Sequence, residues 1–183
     1  CFPERKILLV DTYSASLGEG LLVMKAVELR RAGLSIEETY QHLRTLRHRM
    51  AQIFTVGDLR YLRRTGRLSN LEAAVGTVLQ IKPLLKGDPQ GKIVCFSKVR
   101  GRQRAIESIA ARYAELVVDP ETQIVGIAHA GCEPDAQILA NMLRRSRPPK
   151  EILIVDYEPV TGSHVGPGAL ALFFLSNEQV RMI

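Results

Sequence analysis

Three stretches of this sequence carry residue types that could do chemistry. The first is Gly162-Ser163-His164-Val165-Gly166-Pro167-Gly168, three glycines and a proline around one imidazole. That density of glycine and proline predicts a tight, backbone-exposing turn rather than a helix or a flat strand interior. The run that follows, Ala169-Leu170-Ala171-Leu172-Phe173-Phe174, reads as a short buried strand bounded by Ser176-Asn177. The His164 ring and the backbone N–H groups of Gly166 and Gly168 are then presented at the lip of an apolar element. Such a lip suits a polar or anionic head whose remainder is greasy. The plainer alternative is a structural loop in which His164 satisfies a neighbouring carbonyl.

The second stretch centres on Arg67. Asp58 to Gly66 reads as a short helix stopped by Gly66, and Ser69 with Glu72 forms a capping box that opens a helix from Leu71 to about Leu79. Arg67 would then precede a helix N-terminus, where backbone N–H groups and the dipole favour an anion. Its guanidinium adds a fork matched to a carboxylate or phosphate. An ordinary structural arginine, paired with an aspartate or a carbonyl, is the alternative here. The third stretch, Lys98-Val99-Arg100-Gly101-Arg102-Gln103-Arg104, reads as a basic loop leading into a helix over 105–116. It lacks the interleaved aromatics of a single-strand nucleic-acid platform, so it fits protein docking or anion steering better. His129, at the end of a strand, is a further candidate whose bland reading is a loop histidine. His42 and His48 sit among helix-surface charges.

The elements that must position these groups follow from periodicity. Lys6 to Asp11 reads as a continuous apolar strand, and Leu21 to Arg31 as a helix buried over its first part and closed by Gly33. Ser35 and Glu38 form a capping box for a helix from Ile36 to about Met50. Ile53 to Val56 is a short strand. Ile81 to Leu85 and Lys92 to Phe96 form a hairpin across Gly87-Asp88-Pro89-Gln90-Gly91, with Pro83 placing its strand at an edge or a strand start. Gln123 to His129, a helix opened by Glu133-Pro134-Asp135, and Glu151 to Tyr157 make a strand–helix–strand unit of about 30 residues, which predicts a parallel crossover.

The totals bound the class. A chain of 183 residues with 46% hydrophobic and 24% charged residues is ordinary for a globular protein of one domain or slightly more. No apolar run approaches the roughly 18–20 residues of a membrane span, and no secretory signal is visible. Stable membrane insertion is therefore not expected. Cys1, Cys95 and Cys132 form neither a disulfide framework nor a zinc motif, which points to a reducing cytoplasm. The net charge of +6 comes from 18 Arg and 7 Lys scattered in short runs, so nucleic acid is not an expected partner. There is no dinucleotide fingerprint, Walker loop, nucleophile elbow or metal-ligand spacing, so no metal and no cofactor is expected.

Four motifs in order resemble the DegV family. Asp58-Leu59-Arg60-Tyr61-Leu62-Arg63-Arg64-Thr65-Gly66-Arg67-Leu68-Ser69 is similar to its Asp-Leu-x-Tyr-Leu-x-x-Gly-Gly-Arg-Ile-Ser, with Thr65 in place of the first glycine. Gln80-Ile81-Lys82-Pro83-Leu84-Leu85 is similar to its Ile-Lys-Pro-Ile-Leu. Lys98-Val99-Arg100 before a basic helix start, and His164-x-Gly-Pro-Gly168 with Val165 where Thr is common, complete the set. The resemblance covers nearly the whole chain.

The resemblance implies an α/β, DegV-like two-lobed fold, present here mainly as a C-terminal α/β lobe with a mixed sheet and flanking helices. Residues 1–50 would be the end of the N-terminal lobe with connecting helices, and residues 51–183 the C-terminal lobe. The hydroxyl-bearing Thr-Ser-x-Pro-Ser loop and Ser-Gly-Thr turn of the family's N-terminal lobe are not found, and the opening at Cys1 reads as entry at that lobe's last strand. The function implied is that of a cytoplasmic carrier. It binds a long-chain fatty acid between the lobes and presents the carboxylate to a separate fatty-acid kinase subunit for acyl-phosphate formation. The protein itself would not be the catalyst, and the fatty acid is a ligand rather than a cofactor. His164 and Arg67 would lie at the carboxylate, and Arg100 with Arg102 would dock the kinase. Two rival readings are an enzyme acting on a small anionic substrate at the same pocket and, ranked last, a nucleic-acid-binding module. Turnover without a partner subunit would mark the first, and steep salt dependence of DNA or RNA binding the second.

Overall fold

The computed structural model describes residues 3–67, 80–177 and 180–181. Among these described residues, six strands form one mixed sheet in the order β3-β2-β1-β6-β4-β5. They are β1 Met50–Thr55, β2 Ile81–Gly87, β3 Ile93–Arg100, β4 Ile124–His129, β5 Glu151–Asp156 and β6 Leu170–Leu175. The helices are α1 Leu17–Arg31, α2 Ile36–Leu46, α3 Arg60–Arg64, α4 Arg102–Leu116, α5 Glu133–Ser146 and α6 Pro159–Val165. The family resemblance implied an α/β fold with a mixed sheet and flanking helices, and that is the fold observed.

The strand β6 sits centrally between β1 and β4, antiparallel to both. Burial on both faces explains its unbroken apolar sequence. The β4-α5-β5 unit is the expected parallel crossover, in register from Ile124 opposite Glu151 to His129 opposite Asp156. Alternation along the strands divides the interior in two. Ala51, Ile53, Val125, Ile127, Leu170, Leu172 and Phe174 pack under α4 and α5. Met50, Phe54, Ala128, Ala171 and Phe173 face the opposite layer, with α1, α2, α3 and α6 contributing Leu22, Leu43, Leu62 and Val165.

Four expectations are corrected. Residues 6–11 are not a strand of this sheet, and Ile7 and Leu9 stand 71% and 84% exposed. The helix expected to reach Met50 ends at Leu46, because Met50 already pairs with Leu175 of β6. Its capping box is as predicted: Glu38 N–H donates to Ser35 Oγ (3.2 Å) and Ser35 N–H to Glu38 Oε2 (2.8 Å). The strand bearing Pro83 is internal, yet β1 pairs only with Leu85 and Lys86 of it, so Pro83 still lies where β2 has a partner on one side. The fourth concerns the basic loop, which does not exist as a loop. Strand β3 runs to Arg100, Gly101 turns the chain with φ of 93°, and α4 begins at Arg102. The second capping box, Ser69 with Glu72, and its helix lie outside the described residues.

Candidate functional site

Arg67 is placed by the way α3 stops. Gly66 adopts a φ of 72° and its N–H donates to Arg63 O (3.0 Å), while Arg67 N–H donates to Leu62 O (2.9 Å). This pair of bonds is a Schellman closure, and it needs a left-handed residue where glycine stands. The backbone of Arg67 is thereby pinned to a helix whose Leu62 is fully buried. The side chain is exposed, and Nη1 donates to Thr65 O (2.5 Å).

His164 is placed by a helix, not a turn. Pro159 supplies a preset φ at the first helical position, and α6 runs through Gly162 and His164 to the buried Val165. The reversal comes only at Gly166, with φ of 74°, and Gly168, with φ of 77°. The expected free N–H groups are also corrected. Gly166 N–H donates to Gly162 O (2.9 Å) and Gly168 N–H to Ala130 O (2.8 Å), so both are used inside the fold. These glycines are needed for space instead. A methyl group on Gly166 would lie 2.3 Å from Tyr61 Cγ.

His164 and Arg67 line one cleft of about 280 Å³ on the α3/α6 side of the sheet. Its walls are largely apolar, from Leu62, Ile93, Val160, Val165 and Phe173. His164 is half-buried, and its Nδ1 is buried with no hydrogen-bond partner. A second cavity of about 550 Å³ shares Ala15, Gln52, Arg67 and Ile93 with the first and adds the polar Asp11, Tyr13, Ser14 and Lys92. The cleft therefore grades from apolar at α6 to polar at the 11–16 segment, with Arg67 on both parts.

Several wall residues were not singled out from sequence. Gln52 is the polar member of the Met50, Gln52, Phe54 face of β1, and that break in alternation was the available signal. Ser16 Oγ donates to Glu158 Oε2 (3.2 Å), and Thr161 Oγ1 donates to Glu158 Oε1. Burial raises the Glu158 carboxyl, but the Thr161 and Ser16 bonds outweigh it and hold it below the ordinary glutamate value. Burial, with Glu158 and Cys132 nearby, pushes the Tyr157 phenol well above its usual value, so it stays a neutral O–H. Arg181 is buried and donates to Tyr13 O (2.5 Å) and Ser14 Oγ (2.6 Å), fastening the polar wall. Burial lowers its guanidinium pKa.

The remaining candidates separate. Arg100 is exposed at the end of β3, and Val99 beside it packs under α4. Strand alternation therefore puts Arg100 on the cleft face. Arg102 is committed internally: Nε meets Asp135 Oδ2 at 2.8 Å and Nη2 lies 3.4 Å from Cys132 Sγ, tying α4 to α5. His129 is buried, with Nδ1 3.1 Å from Asp156 Oδ1 but out of line for a hydrogen bond. Another cavity of about 100 Å³ lies between α1, α2 and the far ends of β1 and β4. Its polar groups are already satisfied, Lys25 by Glu28 at 2.8 Å and Gln123 by Val118 and Leu175, so it lacks an unmet polar group comparable to His164. Among the described residues no cluster of His, Cys, Asp and Glu could hold a metal ion, and no helix is long and apolar enough to cross a membrane.

The sequence model of the family described as "Uncharacterised protein, DegV family" matches residues 1–177. The chain belongs to the DegV family. A DegV domain-containing protein of Clostridium perfringens is 39% identical over 176 residues, covering 96% of this chain and 60% of that protein. A solved structure titled for fatty acid binding of a DegV family protein from Thermus thermophilus is 32% identical with a TM-score of 0.85, covering 96% of this chain and 62% of that one. A fatty acid binding DegV family protein from Streptococcus agalactiae is 30% identical with a TM-score of 0.86, covering 97% and 62%. The chain thus spans about three-fifths of the length of these DegV proteins.

Proposed function

We propose that this DegV chain binds a long-chain fatty acid in the cleft, with the carboxylate at Arg67 and His164 and the tail along the apolar wall. The observation that carries the reading is that His164 and Arg67 line one cleft with the apolar Phe173, Val160 and Leu62. An imidazole and a guanidinium at one end of an apolar cleft can hold a carboxylate by charge-assisted hydrogen bonds while the walls take the tail. The names of the Thermus and Streptococcus relatives point to the same ligand.

The finer part of the proposal is that a cytoplasmic, non-catalytic carrier presents this head group to a separate kinase subunit for acyl-phosphate formation. Arg100 supports it, as an exposed cation on the face that carries the cleft. Arg102 is held by Asp135, so its part is to fix the start of α4 rather than to meet the partner. We further propose that residues 1–50 close off a preceding lobe. Ile7 and Leu9, two apart on an extended segment, and Val23 and Val27, four apart on α1, present apolar groups that a further lobe would cover.

Mass spectrometry of the organic extract from the full chain tests the ligand, with about one fatty acid per chain expected. An extract free of fatty acid, together with no measurable binding of added linoleic acid, would sink the reading. Arg100→Ala should leave linoleic acid affinity unchanged and slow its phosphorylation by the kinase subunit. Equal rates for both proteins would remove Arg100 from docking.

A further inference from the structure

The two residues that define the head-group end of the cleft come from segments about 100 residues apart, and neither touches the other through its own backbone. What joins their elements is a seam of glycines. The ring of Tyr61, on α3, lies against the backbone of Gly166, where an added methyl would come within 2.3 Å of Cγ, 2.4 Å of Cδ2 and 2.8 Å of Cδ1. One turn earlier in the chain, Gly57 faces the same loop: a methyl on it would meet Pro167 O at 2.4 Å, and one on Gly168 would lie 3.3 Å from Gly57 Cα. Lys82 Nζ donates to Gly57 O (2.9 Å), fastening the seam to β2. Arg64 stacks its guanidinium 5.2 Å from the Tyr61 centroid, so the ring is held from α3 as well.

The chain of constraint is continuous. Tyr61 precedes Leu62, whose carbonyl receives the Arg67 N–H, and Gly166 follows the helix that ends just after His164. We infer that Tyr61, seated on the Gly166 backbone, is a positioning residue that fixes Arg67 relative to His164 and so sets the preference of the cleft for a carboxylate head group. This rests on the fatty-acid reading above and goes beyond it. The contact is made by ring carbons, so it is the flat ring that positions; the hydroxyl is not required. Packing without a side chain at Gly166 leaves no slack, and a shift of α3 by even part of an ångström is transmitted to Arg67 through the Schellman closure.

The test compares linoleic acid with linoleyl alcohol, equal in tail and different in head, on the full chain. The wild type should prefer the acid, and Tyr61→Phe should keep that preference. Tyr61→Ala should reduce the acid-to-alcohol affinity ratio by about tenfold, since charged hydrogen bonds are lost, while alcohol affinity stays near the wild-type value. Tyr61→Leu, which fills the space without a flat ring, should show the same direction and serves if the alanine variant does not fold. A preference in both Tyr61→Ala and Tyr61→Leu equal to the wild type's overturns the inference. So does an equal loss for acid and alcohol, which would mark a merely structural residue. A wild type that does not distinguish acid from alcohol overturns the head-group reading itself, a different failure from the other two.

Discussion

The two faces of the sheet are built from the same strands and end up with opposite properties. Under α4 and α5 the interior is closed. Ile109, Ala136, Leu139 and Leu143 are fully buried, Tyr113 meets Phe174 edge-on at 5.1 Å, and its hydroxyl donates to Arg147 O (2.8 Å). At its rim Arg102 Nε pairs with Asp135 Oδ2 at 2.8 Å. On the other face Phe173, the very next residue to Phe174, lines a cleft that also holds Gln52, His164 and Arg67. One face fills its space with packed side chains, while the other leaves an open cleft beside His164 and Arg67. The first packs closed, and the second keeps room beside an imidazole and a guanidinium.

The contrast can be broken most directly at Phe174. Phe174→Ala opens a cavity in the closed face and should cost about 3–5 kcal/mol in denaturant unfolding. A loss under about 1 kcal/mol would mean that this face repacks freely and is not the stabilising one. Next in size are His164→Ala and Arg67→Ala. Each should weaken linoleic acid binding by about 10- to 100-fold, as expected for a charged hydrogen bond worth about 1.5–3 kcal/mol, with unfolding free energy within about 0.5 kcal/mol of wild type. Unchanged affinity in both would unseat the head-group assignment. Tyr113→Phe sharpens the same comparison from the closed side. It removes one buried hydrogen bond and should cost about 1 kcal/mol with no effect on ligand affinity, which calorimetry on the two proteins would check.

The smallest effect concerns pH. The Glu158 carboxyl is held below the ordinary glutamate value despite the opposing effect of burial, by hydrogen bonds from Thr161 and Ser16 on the cleft wall. A depressed folded-state value contributes stability above the unfolded value near 4.5, and that stability is lost as pH falls through the folded value. As pH falls from about 4.5 through the folded value, stability should therefore decline less steeply in Glu158→Gln than in the wild type. Identical acid limbs would remove Glu158 from the cleft wall's stability.

Local signals carried much of this. The Ser35–Glu38 capping box, the β2–β3 hairpin, the β4-α5-β5 crossover and the continuous burial of β6 were all legible, because each depends on residues close together in sequence. The glycine stretch misled for a related reason. Composition alone predicted a turn, but Pro159 starts a helix upstream, and Val165, buried against the sheet, draws Gly162 and His164 into it. Arg102 looked like an exposed basic residue because Asp135, 33 positions away, is invisible to any local pattern.

By itself the sequence determined the family, the order of the elements and the two residues worth testing, His164 and Arg67, since motif spacing and periodicity are properties of the chain. Only the tertiary structure decided that these two share one cleft, that the Gly166 and Gly168 N–H groups are used inside the fold, and that residues 6–11 lie off the sheet. Each of these depends on which distant groups meet. Long-range contact sets burial and hydrogen-bond supply, and those in turn decide whether a polar group is already satisfied or left for a ligand.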